Sequence, residues 1–190
     1  ARFRRAFALI VDVVIPARDE LLSLPLVLAD LPRALLRDVV VVDNGSRDGT
    51  GALAASLGCL VVDEPRRGYG SACLAGLAFL ASRAPLPDAV AFVDADHSDH
   101  VEELPSLLAP LLEGRADLVV GSRASGRREP GALLPQQRFG NALAAFMIRR
   151  LYGALVTDLG PFRVVRWEAL STLGMKDRGY GWTAEMQVKA

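Results

Sequence analysis

Three short polar runs in this 190-residue chain carry the residue types and spacings that could do chemistry, and each follows a valine-rich apolar stretch. The sharpest is Val93-Asp94-Ala95-Asp96-His97-Ser98, in which two carboxylates stand at i and i+2. A hard divalent cation such as Mg2+ or Mn2+ takes oxygen ligands and keeps positions open for substrate phosphates, and one or two carboxylates at a strand end meet that need. A cation held there would neutralise a diphosphate leaving group. The plainer reading is that the pair opens the next helix, where carboxylates are favoured; the two other runs weigh against it. One is Ile15-Pro16-Ala17-Arg18-Asp19-Glu20, and the other is Val42-Asp43-Asn44-Gly45-Ser46-Arg47-Asp48-Gly49-Thr50. In the latter, the Asp43 carboxylate can accept hydrogen bonds from a base or ribose. Gly45 allows an unusual backbone turn, and Ser46 or Asp48 can cap a following helix. A plain strand–turn–helix corner would need fewer residues than this.

The elements that must position these runs are legible in the apolar pattern. Leu9–Ile15, Val39–Val42, Cys59–Val62, Ala89–Val93 and Asp117–Val120 are short and apolar, as strands buried on both faces are. Helical periodicity covers Leu24–Leu31, Gly49–Leu57, Gly70–Ser82 and Val101–Leu112, with Ser23 a candidate N-cap before Leu24-Pro25. This alternation predicts an α/β fold with a mostly parallel central sheet and helices on both faces. In such sheets ligands bind beyond the carboxyl ends of the strands, where all three runs fall. After Gly121 the rhythm changes: Ala124–Pro135 reads as a loop, Gln137–Tyr152 as a helix, Phe162–Val165 as a strand, and Trp167–Leu173 and Thr183–Val188 as helices.

Composition narrows the class. Basic and acidic residues number 22 each, so the net charge is zero and the basic excess of a nucleic-acid binder is missing. Two cysteines, Cys59 and Cys73, are too few for a disulfide framework and read as small buried hydrophobes of a cytoplasmic protein. No uninterrupted apolar stretch is long enough to span a bilayer. The chain starts without Met and stops in mid-pattern at Lys189-Ala190, as a fragment of a longer protein would.

Together the three runs resemble family 2 glycosyltransferases, which have the GT-A fold, a nucleotide-binding α/β half joined to an acceptor-binding half. Arg67-Gly68-Tyr69-Gly70, Gly121-Ser122-Arg123 and Asp158-Leu159-Gly160-Pro161-Phe162-Arg163 look like the polyprenyl-phosphate (dolichyl-phosphate) mannosyl- and glucosyltransferase branch. The resemblance runs from about Asp12 to the end. It implies one glycosyltransferase domain, with residues 1–121 binding the nucleotide-sugar and 122–190 forming the acceptor side. Pro16, Ala17, Glu20, Asp43, Gly45, Ser46 and Gly68 would then line the nucleotide-sugar pocket. Asp94, Ala95 and Asp96 would meet ribose, diphosphate and metal, and Ser98 stands where relatives often carry a further metal ligand. Asp96, Arg123 and Asp158 are the catalytic candidates, with Arg123 meeting donor or acceptor phosphate. The chain departs from the family pattern at Asn44, in place of a second Asp, and at Tyr69, in place of a frequent Lys.

The resemblance also implies inversion through one in-line displacement. A hydroxyl acceptor would need a carboxylate base, for which Asp158 and Glu185 are candidates. A phosphomonoester is already largely dianionic at neutral pH and needs none. The arginines at 123, 127, 128, 138, 149 and 150 favour an anionic acceptor, a polyprenyl phosphate, although a solvated basic face is the plainer reading. The stripe of Gln137–Tyr152 could lie on a membrane surface or belong to the core. Trp182 could stack on a sugar or fill the core. His97 and His100 are read as solvent-facing and not as zinc ligands. A nucleotidyltransferase is disfavoured because no glycine-rich loop follows the first strand. An inert nucleotide-binding module and a hydroxyl-acceptor enzyme remain as alternatives.

Overall fold

The computed structural model describes residues 9–121 and 160–190. Arg123, Asp158, the Ala124–Pro135 loop and the Gln137–Tyr152 helix expected from the sequence lie outside the described residues. Among the described residues six strands form one sheet: β1 (Val11–Ala17), β2 (Asp38–Asp43), β3 (Leu60–Asp63), β4 (Ala89–Phe92), β5 (Leu118–Val120) and β6 (Arg163–Arg166). Their order is β3-β2-β1-β4-β6-β5. The first four pair in parallel, and β6 runs antiparallel to both β4 and β5. The expected mixed α/β sheet is therefore present and mostly parallel, and β6, from late in the sequence, is inserted inside it.

Alternate residues of the central strands feed two cores. Val13, Ile15, Val39, Val41, Ala91 and Val93 face α1 (Leu24–Asp30), α2 (Thr50–Ser56) and α4 (Leu104–Leu112). Val14, Val40, Val42, Val90 and Phe92 face α3 (Tyr69–Ala81), α5 (Trp167–Leu173) and α6 (Trp182–Lys189). Burial on both faces explains why these strands are continuous runs of valine instead of alternating patterns. β1 reaches two residues further than the apolar run implied, through Pro16 to Ala17. Pairing with β4 stops at Val14, so the N–H that Pro16 lacks would have faced a side with no partner strand.

Charge is buried at the edge of the sheet opposite the three polar runs. Asp12 is fully buried in β1 and accepts from Arg37 Nε at 3.0 Å and from the second guanidinium nitrogen. Its bond raises the Arg37 pKa, with partial desolvation opposing. A buried carboxylate needs such a partner, and Asp12 has one that is continued by Arg83 on Asp38 at 2.9 Å. Among the described residues no helix is long and apolar enough to cross a membrane.

Helix α3 lies close on the sheet because Gly76 has no side chain. A Cβ there would sit 2.7 Å from Val14 Cγ1 and 3.2 Å from Val42 Cγ2. On an open helix face Gly→Ala stabilises by about 1 kcal/mol. At position 76 the sign reverses, because overpacking costs about 1–3 kcal/mol. Gly76→Ala is therefore expected to lower unfolding stability in a urea titration; a gain would show that the helix can lift off the sheet without loss.

Candidate active site

The register of the parallel strands sets the polar runs side by side. Ala17 pairs with Asp43, and Asp43 with Asp63. On the other side of β1, Val93 N donates to Val14 O at 3.2 Å, so the 94–96 turn leaves the sheet beside the same strand end. Pro16, Ala17, Asp43, Asp94, Ala95 and Asp96 thus share one edge. Ala17 and Ala95 are buried, Pro16, Glu20, Asp43 and Asp94 are half-buried, and Asp96 and Ser98 are exposed.

The first two runs are bound to each other by reciprocal side-chain-to-backbone bonds. Asp19 N donates to Ser46 Oγ at 3.0 Å, Glu20 N to Thr50 Oγ1 at 2.9 Å, and Leu21 N to Asp48 Oδ2 at 3.0 Å. Arg47 N returns a bond of 2.7 Å to Asp19 Oδ1. Asp48 also accepts from Thr50 N at 3.0 Å and Thr50 Oγ1 at 2.6 Å, at the start of α2. Asp43 Oδ1 accepts from Ser46 N at 2.8 Å, and Gly45 between them has φ +81°. Much of the polarity in these runs therefore holds the rim in shape. Ser23 is not the N-cap that the sequence suggested: its backbone is already α-helical and makes no side-chain cap. The turn over residues 21–23 carries the chain into α1 early, and the Ser23 hydroxyl donates instead to the Glu20 carboxylate.

Asn44 has a role that a second Asp could not fill. Its buried Nδ2 donates to Glu64 O and Arg66 O, both at 2.8 Å, and its Oδ1 accepts from Gly68 N at 2.8 Å. A carboxylate has no hydrogen to donate to two carbonyls. The amide thereby stitches β2 to the segment that leads into α3. A Cβ at Gly68 would lie 2.1 Å from Arg178 O. Gly70 N and Ser71 N each donate, at 3.0 Å, to Gly179 O and Arg178 O. The glycines of Arg67-Gly68-Tyr69-Gly70 thus admit the 177–179 backbone against the first turn of α3.

The 94–99 turn is irregular, and no helix starts at its two aspartates; the next helical residues are Val101–Glu103. Asp94 N donates to Asp99 Oδ2 at 3.2 Å, and Ser98 N to Asp96 Oδ1 at 3.0 Å. His97, at φ +59°, places Nε2 2.8 Å from Asp30 Oδ2 at the end of α1. His97 and His100 are both exposed, as expected. No three His, Cys, Asp or Glu side chains converge into a metal cage among the described residues. The donors at the turn are carboxylate oxygens, one of them on the exposed Asp96. That set suits a hard cation whose remaining ligands come from phosphates, and does not suit a soft one.

Behind the turn lies a residue to which the sequence assigned no role. Arg163 is fully buried and donates to Pro161 O at 3.2 Å, to Thr183 O at 3.1 Å and to Gly160 O. Burial lowers its pKa, and the charges of Asp94 and Asp99 act in the opposite direction. The Tyr69 hydroxyl is shut from solvent near Asp94, and desolvation holds its pKa well above the usual phenol value. Only the stretch ending Gly160-Pro161-Phe162-Arg163 hinted at this. Trp182 is fully buried, with its ring 6.0 Å edge-on from Phe92, so it belongs to the core and not to a sugar platform. Cys59 and Cys73 are free and buried.

A sheet of this order, with its polar rim at the carboxyl ends of the parallel strands, is the GT-A fold of nucleotide-sugar transferases. The structure aligns, at a TM-score of 0.75 and 26% identity, with glucosyl-3-phosphoglycerate synthase of Mycobacterium tuberculosis, solved with Mn2+, UDP and glucosyl-3-phosphoglycerate. That match covers 94% of this chain but 63% of the synthase. The chain belongs to glycosyltransferase family 2: the family model "Glycosyl transferase family 2" matches residues 12–174. An uncharacterized glycosyltransferase of Mycobacterium tuberculosis is 43% identical over 183 residues, covering 95% of this chain and 78% of the relative. The undecaprenyl-phosphate mannosyltransferase of Micrococcus luteus is 32% identical over 191 residues, covering 91% of this chain and 74% of the relative. The resemblance to the polyprenyl-phosphate branch is borne out by such relatives.

Two outcomes follow from the rim. Asn44→Asp replaces two donors with a carboxylate facing two carbonyls, at a cost of about 2–4 kcal/mol in unfolding free energy; an unchanged urea midpoint would refute the stitching role. The Thr50 side-chain bond lowers the Asp48 pKa, partial desolvation opposing. Its stabilisation is therefore complete above the ordinary carboxylate range and lost as pH falls through the lowered value. The gap in melting temperature between wild type and Asp48→Ala is expected to be widest at neutral pH and to narrow in acid.

Proposed function

We propose that the protein is an inverting, metal-dependent hexosyltransferase that moves a hexose from GDP-mannose or UDP-glucose to a polyprenyl phosphate. The observation that carries this reading is the shared edge: the register places Asp43 beside Ala17, and the 94–96 turn leaves the sheet next to the same strand. Pro16, Ala17, Glu20, Asp43, Gly45, Ser46 and Gly68 form the nucleotide side, with the Asp43 carboxylate accepting from base or ribose. Asp94, Asp96 and Ser98 would hold Mg2+ or Mn2+. When bound, the cation supplies charge neutralisation to the departing diphosphate. Residues 1–121 serve the donor and 122–190 the acceptor, with Arg123 on a phosphate.

The state of Glu185, the candidate base among the described residues, supports the choice of acceptor class. Glu185 accepts from Asp177 N at 2.7 Å and from Lys176 N at 3.1 Å, and pairs with Lys189 at 2.7 Å. Partial desolvation acts to raise its pKa, but these bonds outweigh it and the value lies below the usual one. A carboxylate so engaged is a poor proton acceptor, which favours an acceptor that is already anionic. A lipid phosphate would be met at the cytoplasmic face of a membrane, by a protein bound there peripherally. The undecaprenyl-phosphate mannosyltransferase relative supports this choice. The glucosyl-3-phosphoglycerate synthase likeness favours a second reading, a small hydroxyl acceptor, in which Asp158 would be the base.

Calorimetry with UDP-glucose and GDP-mannose, with and without Mn2+, tests the donor half on wild type and Asp96→Ala. One donor is expected to bind in the presence of metal, with binding reduced at least tenfold in the variant, about 1.4 kcal/mol or more. Binding of neither donor would leave the family fold without this activity. Transfer to phosphoglycerate but not to polyprenyl phosphate would select the second reading.

A further inference from the structure

Among the described residues two positions other than glycine have a left-handed backbone, Asp19 at φ +57° and His97 at φ +59°. Both lie in the polar runs. Such a backbone is uncommon for a residue with a side chain and persists where its surroundings hold it. His97 separates Asp96 from Ser98, and the twist there brings Ser98 N to 3.0 Å from Asp96 Oδ1. The backbone of His97 therefore sets the direction of the Asp96 carboxylate. What holds His97 comes from another element: its Nε2 lies 2.8 Å from Asp30 Oδ2. Asp30 is the last residue of α1, a helix fixed to the core by Leu24, Val27 and Leu28. Leu31, the next residue, is buried as well. A carboxylate on a packed helix is a firm point of attachment for an irregular turn. The start of the same helix is joined to the nucleotide rim: Leu24 N donates to Glu20 O at 3.0 Å, and the Ser23 hydroxyl to the Glu20 carboxylate.

We propose that Asp30 is a positioning residue: through His97 it holds the 96–98 turn in the shape that directs Asp96 at a divalent cation. Asp30 itself touches neither cation nor donor. Helix α1 then acts as a strut, with the rim of the nucleotide pocket at one end and the cation turn at the other, and it keeps the two halves of the donor site at a fixed spacing. The His97 and Asp30 side chains are 38% and 49% exposed, so their bond adds little to the stability of the whole fold. Its effect is local. A group behind a metal ligand acts by orienting that ligand, and its loss is felt in binding before it is felt in folding.

The inference rests on the donor reading above, and its test is built in two arms that fail separately. The first follows hydrogen exchange of the Ser98 amide in metal-free protein. Asp30→Ala is expected to speed exchange there several-fold. Asp30→Asn, whose side-chain carbonyl still accepts from Nε2–H, is expected to stay near wild type. Unchanged exchange in Asp30→Ala, or equal acceleration in both variants, would overturn the proposal whether or not any donor binds. The second arm titrates Mn2+ against the donor that wild type binds. Asp30→Ala is expected to raise the Mn2+ concentration for half-maximal binding about threefold to fivefold, the scale of an exposed pair, with the melting temperature near wild type. A shift that comes with a matching fall in melting temperature would make Asp30 merely structural and overturn the proposal. His97→Gly takes up the left-handed backbone without a side chain, so Asp30→Ala is expected to have little further effect in that background. Equal shifts in both backgrounds would also overturn it. If wild type binds no donor, the functional reading falls, and the exchange arm still judges the Asp30–His97 pair.

Discussion

Burial of β1, β2 and β4 on both faces is the constraint on which the rest of the molecule depends. A strand with no solvent face has no place for a working carboxylate along its length, and Asp12, the exception, needs Arg37 beside it. Polar chemistry is pushed to the strand ends, and parallel pairing brings the carboxyl ends to one edge. The register then decides which ends meet: Ala17, Asp43 and Asp63 form a row because the strands are paired without offset along their last residues. Hydrophobic burial, which says nothing about catalysis, thereby selects the residues available for it.

The rim built on that edge is held mostly by its own polar groups. Ser46, Asp48 and Thr50 from one loop satisfy backbone N–H groups of the other, and Asn44 satisfies two carbonyls beyond β3. Loops on a protein surface need such partners where water does not reach them. An arrangement fixed before the ligand arrives does not have to be ordered by it, which lowers the entropic cost of binding. The same groups therefore serve structure and recognition together.

The strands were readable from the sequence because a doubly buried strand leaves an unbroken apolar run. Their ends were less so: Pro16 and Ala17 extend β1 only because β4 has already turned away, a fact of neighbours and not of propensity. The aspartate pair at 94 and 96 was visible through its spacing after β4, and the absence of a helix start at the pair removes the plainer reading. Individual roles were harder. Asn44 looked like an aspartate with a charge removed, whereas its amide hydrogens are what the site uses. Trp182 looked like a possible platform and lies in the core. Arg163 was within a noted stretch, but its bonds to Gly160 O, Pro161 O and Thr183 O join segments far apart in the sequence, and no periodicity reports that. Arg123 and Asp158 are outside the described residues.

The carboxamide of Asn44 has a chemical history as well as a geometry. Asn followed by Gly is the pair at which spontaneous deamidation is easiest, because an unhindered glycine nitrogen can attack the side-chain carbonyl. Here that side chain is buried and its three bonds hold it away from attack. The fold protects the bond it relies on, and protection lasts only while the chain is folded. Each unfolding episode gives the reaction a chance to convert the amide to a carboxylate. A molecule so changed returns to a fold that has lost its two donors and unfolds more readily thereafter. The β2–α3 stitch thus makes the protein a record of its own unfolding, with damage that favours further damage.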